Sequence, residues 1–225
     1  LYGYIGTAGG LSFIDDGITP DTSDTPPTAR NPFNATDDYP AAVTYIQQRL
    51  TFASTNNNPE KIWMSRTGQY KNFTVSSPIQ DDDAVTFTLV GRQVNSVKHL
   101  LDLGKFLVMT QGGEWSIEGD DAGIIRPSQI NARQNSYSGS GDLSPIIVAN
   151  SALFVQARGT IVRDLLFDAA ESSYKGNDLT VFSAHLFEGY SIVDWAYQQV
   201  PNSIVWAVRS DGVLLGLTYV REHQL

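Results

Sequence analysis

The densest cluster of residues able to do chemistry is a run of three carboxylates, Asp81, Asp82 and Asp83, directly before the strand-like residues 84–89. Carboxylate oxygens are the ligands that Ca²⁺ prefers, so a cation site is one interpretation of this run. The run lacks the spaced ligands and the glycine of a recognised calcium loop. We therefore expect a solvated acidic turn before the strand, with cation binding as the alternative.

Histidine and serine, two other common catalytic side chains, are not arranged for chemistry. His99, His185 and His223 are isolated and lack the H-E-x-x-H spacing of a zinc site. Ser183 lies two residues before His185, but it is not part of a G-x-S-x-G elbow. The chain has no cysteine, which excludes disulfides, thiolate nucleophiles and Cys-ligated zinc. We therefore predict no catalytic residue, no metal and no cofactor, and structural or surface positions for the histidines.

One stretch favours a different class, a glycan-active protein. Residues 65–73, SRTGQYKNF, resemble the Asp-box hairpin turn of sialidase-like propellers, but Thr67 stands where the aspartate belongs. Glycoside hydrolysis usually needs two positioned carboxyl groups. The sequence offers four in one region, with no spacing that selects a pair: Glu114, Glu118, Asp120 and Asp121. A propeller-type glycan-binding or glycan-hydrolysing protein is therefore the alternative function, and we expect the chain not to be an enzyme.

The four tryptophans all lie inside strand-like segments, at positions 63, 115, 195 and 206. Aromatic rings on strands can form a platform for carbohydrate or for a protein partner. They more often fill the space between sheets. We expect Trp63, Trp115, Trp195 and Trp206 to do the latter.

The composition bounds the classes of protein that remain. Of the 225 residues, 41% are hydrophobic and 17% are charged, which excludes global disorder. The net charge of -9 argues against a surface that grips phosphates, because nucleic-acid affinity rests on Lys and Arg. No segment approaches the roughly 18 apolar residues of a transmembrane helix. The chain begins at Leu1 and its first basic residue is Arg30, so we expect no signal peptide and a processed or partial chain.

The elements that would position these residues fall into two regions. Residues 1–42 form an N-terminal segment, in which residues 15–42 carry five prolines and predict an extended arm or linker, since proline cannot pair in a central strand. Residues 43–225 alternate short runs of Val, Ile, Thr, Phe, Tyr and Trp with turn residues, which is typical of strands. Residues 179–187 are the best candidate for a short helix.

An internal repeat gives this second region its predicted architecture. Four hairpin-like units align with one another, at residues 49–54 with 61–65, 105–110 with 114–117, 152–157 with 160–163, and 203–208 with 213–216. Their first residues are 56, 47 and 51 positions apart. Spacing near 50 is typical of four-stranded propeller blades, which bury both faces by stacking around an axis. We therefore predict an all-β, propeller-like fold of about four blades, incomplete in this chain, with a β-sandwich as the alternative.

A set of phrases in a fixed order resembles one family. The phrases are YPAAV at 39–43, QRLTFA at 48–53, Pro59, IWMS at 62–65, Gly68, NF at 72–73, the acidic run at 81–83, GEW at 113–115 and VWAVRSDGVLLGLTY at 205–219. Together they are similar to the structural tail proteins of short-tailed bacteriophages, the nozzle or tubular-B-type and hub proteins. The resemblance spans roughly residues 39–225.

The resemblance implies a virion protein without catalytic residues, assembled in the host cytoplasm. It implies a propeller-containing subunit in a homo-hexameric ring below the portal and adaptor, in contact with tail fibres or spikes. DNA leaves through such a ring as non-specific cargo, and an acidic channel would let it pass without sticking. A cellular scaffold propeller, monomeric and closed within itself, is a third possibility.

Overall fold

The computed structural model describes residues 3–6, 10–23, 25–28, 31–168 and 173–219. The chain divides into two compact units. The first comprises Leu1–Val90 and Glu118–Asn131, and the second comprises Gly91–Ile117 and Ala132–Leu225. Both are built from antiparallel strands, which confirms the all-β prediction.

The first unit contains one four-stranded sheet and one two-stranded sheet. Its strands are β1 Thr25–Thr28, β2 Ala42–Ile46, β3 Arg49–Ala53, β4 Lys61–Met64, β5 Val75–Ser77 and β6 Val85–Thr88. The larger sheet has the order β2-β3-β4-β6, and β1 pairs with β5. On β3 and β4 most side chains are buried, because these central strands are covered on both faces.

The second unit contains three further sheets, each made of strands that are consecutive in the chain. Their orders are β10-β9-β8-β7, β11-β12-β13-β14 and β15-β16-β17. The strands are β7 Val97–Asp102, β8 Phe106–Thr110, β9 Gly113–Glu118, β10 Asn131–Ser136, β11 Ile146–Val148, β12 Ser151–Val155, β13 Val162–Asp168, β14 Ser173–Lys175, β15 Ile192–Gln198, β16 Ile204–Arg209 and β17 Leu214–Thr218. Within the described ranges, the last sheet thus has three strands where the other two have four.

The core of the second unit lies between successive sheets. Every residue of β8 and β12 is buried. Leu107 and Met109 of β8 pack with Phe154 of β12 and Leu165 of β13 in one apolar cluster. Burial on both faces explains why these strands are continuous apolar runs in the sequence and do not alternate with polar residues.

All four predicted hairpins are confirmed as antiparallel strand pairs. They are β3 with β4, β8 with β9, β12 with β13, and β16 with β17. In the described part of residues 15–42, the strand residues are those of β1, which pairs with β5, and Ala42, the first residue of the edge strand β2. Thr25 and Thr28 pair with β5, and the register shifts between them, where Pro26 and Pro27 offer no N–H.

The predicted helix over residues 179–187 is wrong for most of its length. A four-residue 3-10 helix spans Ala184–Phe187. The preceding residues instead follow β13, because the Leu179 amide donates to the Val162 carbonyl and Asp178 bridges to Arg163. Backbone pairing with β13 therefore removes Leu179 from the helix, and residues 181–183 form a turn in which the Ser183 amide donates to the Thr180 carbonyl.

Candidate functional site

The acidic run is embedded in a charge network of the first unit. The Asp83 side chain is fully buried and accepts hydrogen bonds from the Ser76 amide and hydroxyl, both 2.9 Å, and from the Gln80 amide, 2.8 Å. Arg66 lies 3.3 Å from Asp83 and 2.7 Å from Asp82, and Arg126 lies 2.5 Å from Asp81. Each carboxylate of the run faces an arginine, but only Asp83 is enclosed, so the prediction of a solvated turn is wrong for Asp83.

Asp83 stays ionised inside this network. Burial alone would raise the pKa of the Asp83 carboxyl, but hydrogen bonds from Gln80 and Ser76, with the Arg66 charge, more than offset that effect and lower the pKa. The ionised form is thus the one that the surrounding donors stabilise.

A second buried charge, Arg49, holds the backbone of the acidic run. Its guanidinium donates to the carbonyl oxygens of Ser65 at 2.8 Å, Asp83 at 2.5 Å and Asp81 at 3.0 Å. Burial lowers the pKa of Arg49, against the opposing influence of Asp82 and Asp83. Since arginine remains protonated well above neutral pH, the loop carries a full positive charge beneath its carboxylates. The described residues contain no group of three or more His, Asp or Glu side chains that could hold a metal ion.

The Asp-box-like stretch forms a tight turn that recurs elsewhere in the first unit. Arg66 and Gln69 form a bridge closed by a 3.1 Å bond from the Gln69 amide to the Arg66 carbonyl, and Gly68 has a φ of 69°. Arg126 and Gln129 form the same bridge with the same 3.1 Å bond. Both arginines reach the acidic run. Sequence reasoning missed this pair of turns, although the shared Arg-x-x-Gln spacing was the signal for them.

The four candidate carboxylates for glycoside hydrolysis have separate structural surroundings. Glu114 of the second unit is buried; its Oε2 atom accepts from the Ser136 hydroxyl, and its Oε1 atom has no partner among the described residues. Burial raises the pKa of Glu114, and hydrogen bonds from Ser136 and Ser138 offset this only in part. A buried carboxyl of this kind behaves as a core group whose ionised form is disfavoured.

In the first unit, Asp120 stabilises the turn that follows β9. Its Oδ1 atom accepts from the amides of Ala122 at 3.0 Å and Ile124 at 2.8 Å, and its Oδ2 atom lies 3.0 Å from Arg126. Asp120 and Asp121 both line a polar groove of about 590 Å³ together with Ser128, Gln129 and Asn131. Glu118, at the end of β9, does not line this groove. Because Asp120 already has three donors, it caps a turn in this structure.

The histidines occupy structural and surface positions. The His99 Nε2 atom lies 3.0 Å from the Gly141 carbonyl oxygen. Burial lowers the pKa of His99, opposed by that hydrogen bond and by Asp142. His185 is exposed in the short 3-10 helix, with Ser183 at its N-terminal boundary. His223 lies outside the described residues.

The tryptophans follow the packing prediction with one exception. Trp63 and Trp115 are buried, as predicted, and Trp195 is half-buried with its indole N–H donating to the Ser144 carbonyl at 2.7 Å. Trp206 is 37% exposed on the last sheet, so the prediction is wrong there. Its ring lies over Gly216, where an added Cβ would come within 3.2 Å of the ring.

The last sheet of the second unit has one buried face and one exposed face. One face packs on the core through Val205, Ala207, Leu215 and Leu217. The opposite face is largely apolar and open, with Ala196, Trp206 and Leu214 exposed. Trp206 pairs with Ala196 on one side and Gly216 on the other, so these residues share that face. An open apolar face next to an open edge is typical of a surface that meets another element.

A second concave feature is a groove of the second unit. It has a volume of about 700 Å³ and is lined by the turns after β7 and β11 and by β13 and β14. The Phe167 ring packs edge-on against Tyr174 at 5.3 Å, and the Lys105 ammonium lies 4.9 Å from the Phe167 centroid. Asp102 and Asn150 add polar groups to the lining. The groove thus combines an aromatic wall with hydrogen-bonding groups.

Comparison with known proteins adds no family. No protein-family model matches the chain, and no curated protein sequence matches it. Within the described ranges, no helix is both long and apolar enough to cross a membrane.

Proposed function

We propose that this chain is a non-enzymatic structural subunit of a bacteriophage tail, of the nozzle or hub type, which assembles into a ring through which DNA leaves. The observation that carries the proposal is the succession of antiparallel sheets at intervals of about 50 residues, of which the last has, in the described part of the chain, one strand fewer and an unpaired edge. The order of family-like phrases over residues 39–225 supports the same class. The ring would sit below the portal and adaptor and contact fibres or spikes within the virion.

We infer further that the four sheets are propeller blades. Three of them consist entirely of consecutive strands, and the fourth departs only through β5, which pairs with β1. Blades are built as such meanders, whereas sandwiches usually pass strands between sheets by Greek-key connections. The apolar cluster shared by β8, β12 and β13 also fits side-by-side stacking of successive blades.

A non-enzymatic role is supported by how the carboxylates are used. Asp81, Asp82 and Asp83 face arginines, Asp120 caps a turn and Glu114 is buried against Ser136. Glycoside hydrolysis instead requires two carboxyl groups roughly 5–10 Å apart and open to the substrate. The net charge of -9 fits DNA as passing cargo, because no surplus of Lys and Arg is present to release counterions.

The oligomeric state of the purified chain tests the proposal. We expect light scattering after size exclusion to give a multiple of 24.6 kDa, and negative-stain electron microscopy to show closed rings. Six copies are expected from the family resemblance. A chain that stays monomeric at every concentration tested and forms no rings would refute the proposed function.

Glycan binding is the second candidate function, and the aromatic groove of the second unit favours it. An aromatic wall with Asp102, Lys105 and Asn150 nearby matches the usual composition of small-ligand pockets. Calorimetric titration with bacterial surface polysaccharide tests this. Saturable heat that disappears in Phe167→Ala, but persists in Phe182→Ala on the exposed surface, would favour glycan binding. Absence of heat would reject it.

A further inference from the structure

Among the described residues nothing pairs with the outer edge of β17, and the strand has none of the usual features that prevent strand pairing. The backbone amide of Arg209 donates to the Val213 carbonyl, and the backbone amide of Tyr219 donates to the Ser203 carbonyl. The odd-numbered residues of β17 therefore form their backbone hydrogen bonds with β16. In an antiparallel pair the alternate residues point their backbone groups the other way. Leu214, Gly216 and Thr218 therefore direct N–H and C=O groups outward. Native edges are commonly protected by lysine, proline or a bulge, and β17, LLGLT, has neither charge nor proline.

A second segment of the same chain has exposed apolar side chains and, among the described residues, no backbone hydrogen bonds. Residues 11–14, LSFI, lie in an N-terminal loop closed by two backbone hydrogen bonds between Tyr4 and Asp21, 3.0 and 2.8 Å long. Leu11 is fully exposed, Ile14 is 82% exposed and Phe13 rests against Gly6 with part of its ring in solvent. Among the described residues, no backbone hydrogen bond involves residues 11–14. Leu11 and Phe13 are two positions apart, so in an extended conformation they lie on one face, with Ser12 and Ile14 on the other.

We propose that residues 11–14 of one copy pair antiparallel with β17 of a second copy and supply the fourth strand of its last sheet. This inference rests on the proposed ring and names the contact that builds it. Ser12 lies opposite Gly216, so that Ile14 faces Leu214, Phe13 faces Leu215 and Leu11 faces Leu217. Leu11 and Phe13 then extend the buried face of the sheet, where Leu215 and Leu217 already pack on the core.

The occupant is a second copy because both segments are exposed in the single chain. Ile14 is 82% exposed and Leu214 is 59% exposed, so neither is covered within the chain. The two segments, four residues at 11–14 and five at Leu214–Thr218, carry no charge, so pairing them buries no unpaired ionic group. A contact between two different surfaces of identical copies is heterologous, and it closes into a ring when the rotation between copies allows.

Disulfide cross-linking tests the register, since the chain has no cysteine of its own. Opposed residues of a hydrogen-bonded antiparallel pair lie about 5.5 Å apart at Cα, within disulfide range. Ile14→Cys and Leu214→Cys are made in separate chains, one of them tagged, and mixed under mild oxidation. We expect a disulfide between tagged and untagged chains. The control mixes Ile14→Cys with Val90→Cys, whose position is 85% exposed and outside the proposed pair.

Three outcomes would overturn the inference: no mixed disulfide, equal cross-linking in the control, or a disulfide only within one chain in the Ile14→Cys and Leu214→Cys double variant. Charging the edge is an independent test. Leu214→Lys with Thr218→Lys should weaken assembly at least tenfold while the far-ultraviolet spectrum is unchanged, and Val90→Lys should not. Rings that form unchanged with the charged edge would overturn the strand contact while leaving the ring proposal intact. Cross-linked pairs that form no rings would overturn the ring proposal while leaving the strand contact intact.

Discussion

Replacing Asp83 by asparagine removes one negative charge from the fully buried centre of the arginine–aspartate network and keeps the shape of the side chain. The wild-type carboxylate accepts from the Ser76 amide, the Ser76 hydroxyl and the Gln80 amide, and it lies 3.3 Å from Arg66. The asparagine carbonyl can keep the two amide donors. Its NH₂ group then faces the Arg66 guanidinium, which is another donor.

The expected cost follows from these contacts. Hydrogen bonds to a charged acceptor contribute about 1 kcal/mol more than neutral ones, so two amide bonds lose about 2 kcal/mol. Losing Asp83 as the buried partner of Arg66 adds about 1 kcal/mol, a small value because Arg66 keeps Asp82 at 2.7 Å. We expect Asp83→Asn to lower the free energy of unfolding of this region by about 3 kcal/mol. Asp82→Asn is the matched control and should cost under about 1 kcal/mol, since Asp82 is 52% exposed.

Hydrogen-exchange mass spectrometry of residues 75–88 measures the effect locally. A loss of about 3 kcal/mol corresponds to exchange roughly 100-fold faster in Asp83→Asn than in the wild type. Because the folded-state pKa of Asp83 is lowered, its stabilisation is present above the ordinary aspartate pKa of about 3.9 and is lost as the pH falls through the lower folded-state value. The difference between the two proteins should therefore be constant near neutrality and shrink below about pH 4. Equal effects of Asp83→Asn and Asp82→Asn, or a difference that persists in acid, would refute the reasoning.

Two further substitutions test the second unit by denaturant unfolding. The raised pKa of buried Glu114 means that its contribution is complete below the unfolded-state pKa of about 4.3 and is lost as the pH rises towards the folded-state value. Glu114→Gln should therefore abolish this pH dependence and leave the free energy of unfolding at neutral pH equal or higher. The exposed Glu188→Gln is the control and should change neither the pH dependence nor the stability. A Glu114→Gln protein whose free energy of unfolding keeps the wild-type pH dependence would contradict this. Phe154→Ala should lower the free energy of unfolding by about 3–5 kcal/mol because it leaves a cavity, and the exposed Phe182→Ala should lower it by under about 0.5 kcal/mol. Similar losses in the two variants would show that Phe154 is not in a packed core.

The four hairpins could be predicted because their signals are local. In each one, two apolar runs are joined by turn residues, and both the alternation and the turn chemistry lie within about 17 positions. The edge strands β10, NARQNS, and β14, SYK, have no apolar pattern, so nothing in the sequence marked them. They are strands because β9 and β13 offer free backbone groups beside them.

The burial of Asp83 could not be predicted for the opposite reason. Its partners Arg49 and Arg66 lie 34 and 17 positions away, and the acidic run looks the same in sequence whether it is solvated or enclosed. Arg126, 45 positions from Asp81, comes from a segment that follows β9 in the chain. Only the folded first unit brings the three arginines to one loop, so a pattern read locally favoured the solvated turn.

The arginine–aspartate network around Asp83 also fixes the position of the N-terminal region. Asp83 holds the amide and hydroxyl of Ser76, Ser76 lies in β5, and β5 is the strand that pairs with β1 of the proline-rich arm. A two-stranded sheet is marginal by itself, so β1 depends on whatever fixes β5. The pairing of β1 with β5 and the backbone bonds between Tyr4 and Asp21 fix the N-terminal region at two places. The exposed residues 11–14 lie between Tyr4 and Asp21, so the distance over which they can move is restricted. Restricting a loop before it binds lowers the entropy lost on binding, so the arginine–aspartate network would favour the proposed pairing of residues 11–14 with β17 by anchoring this loop.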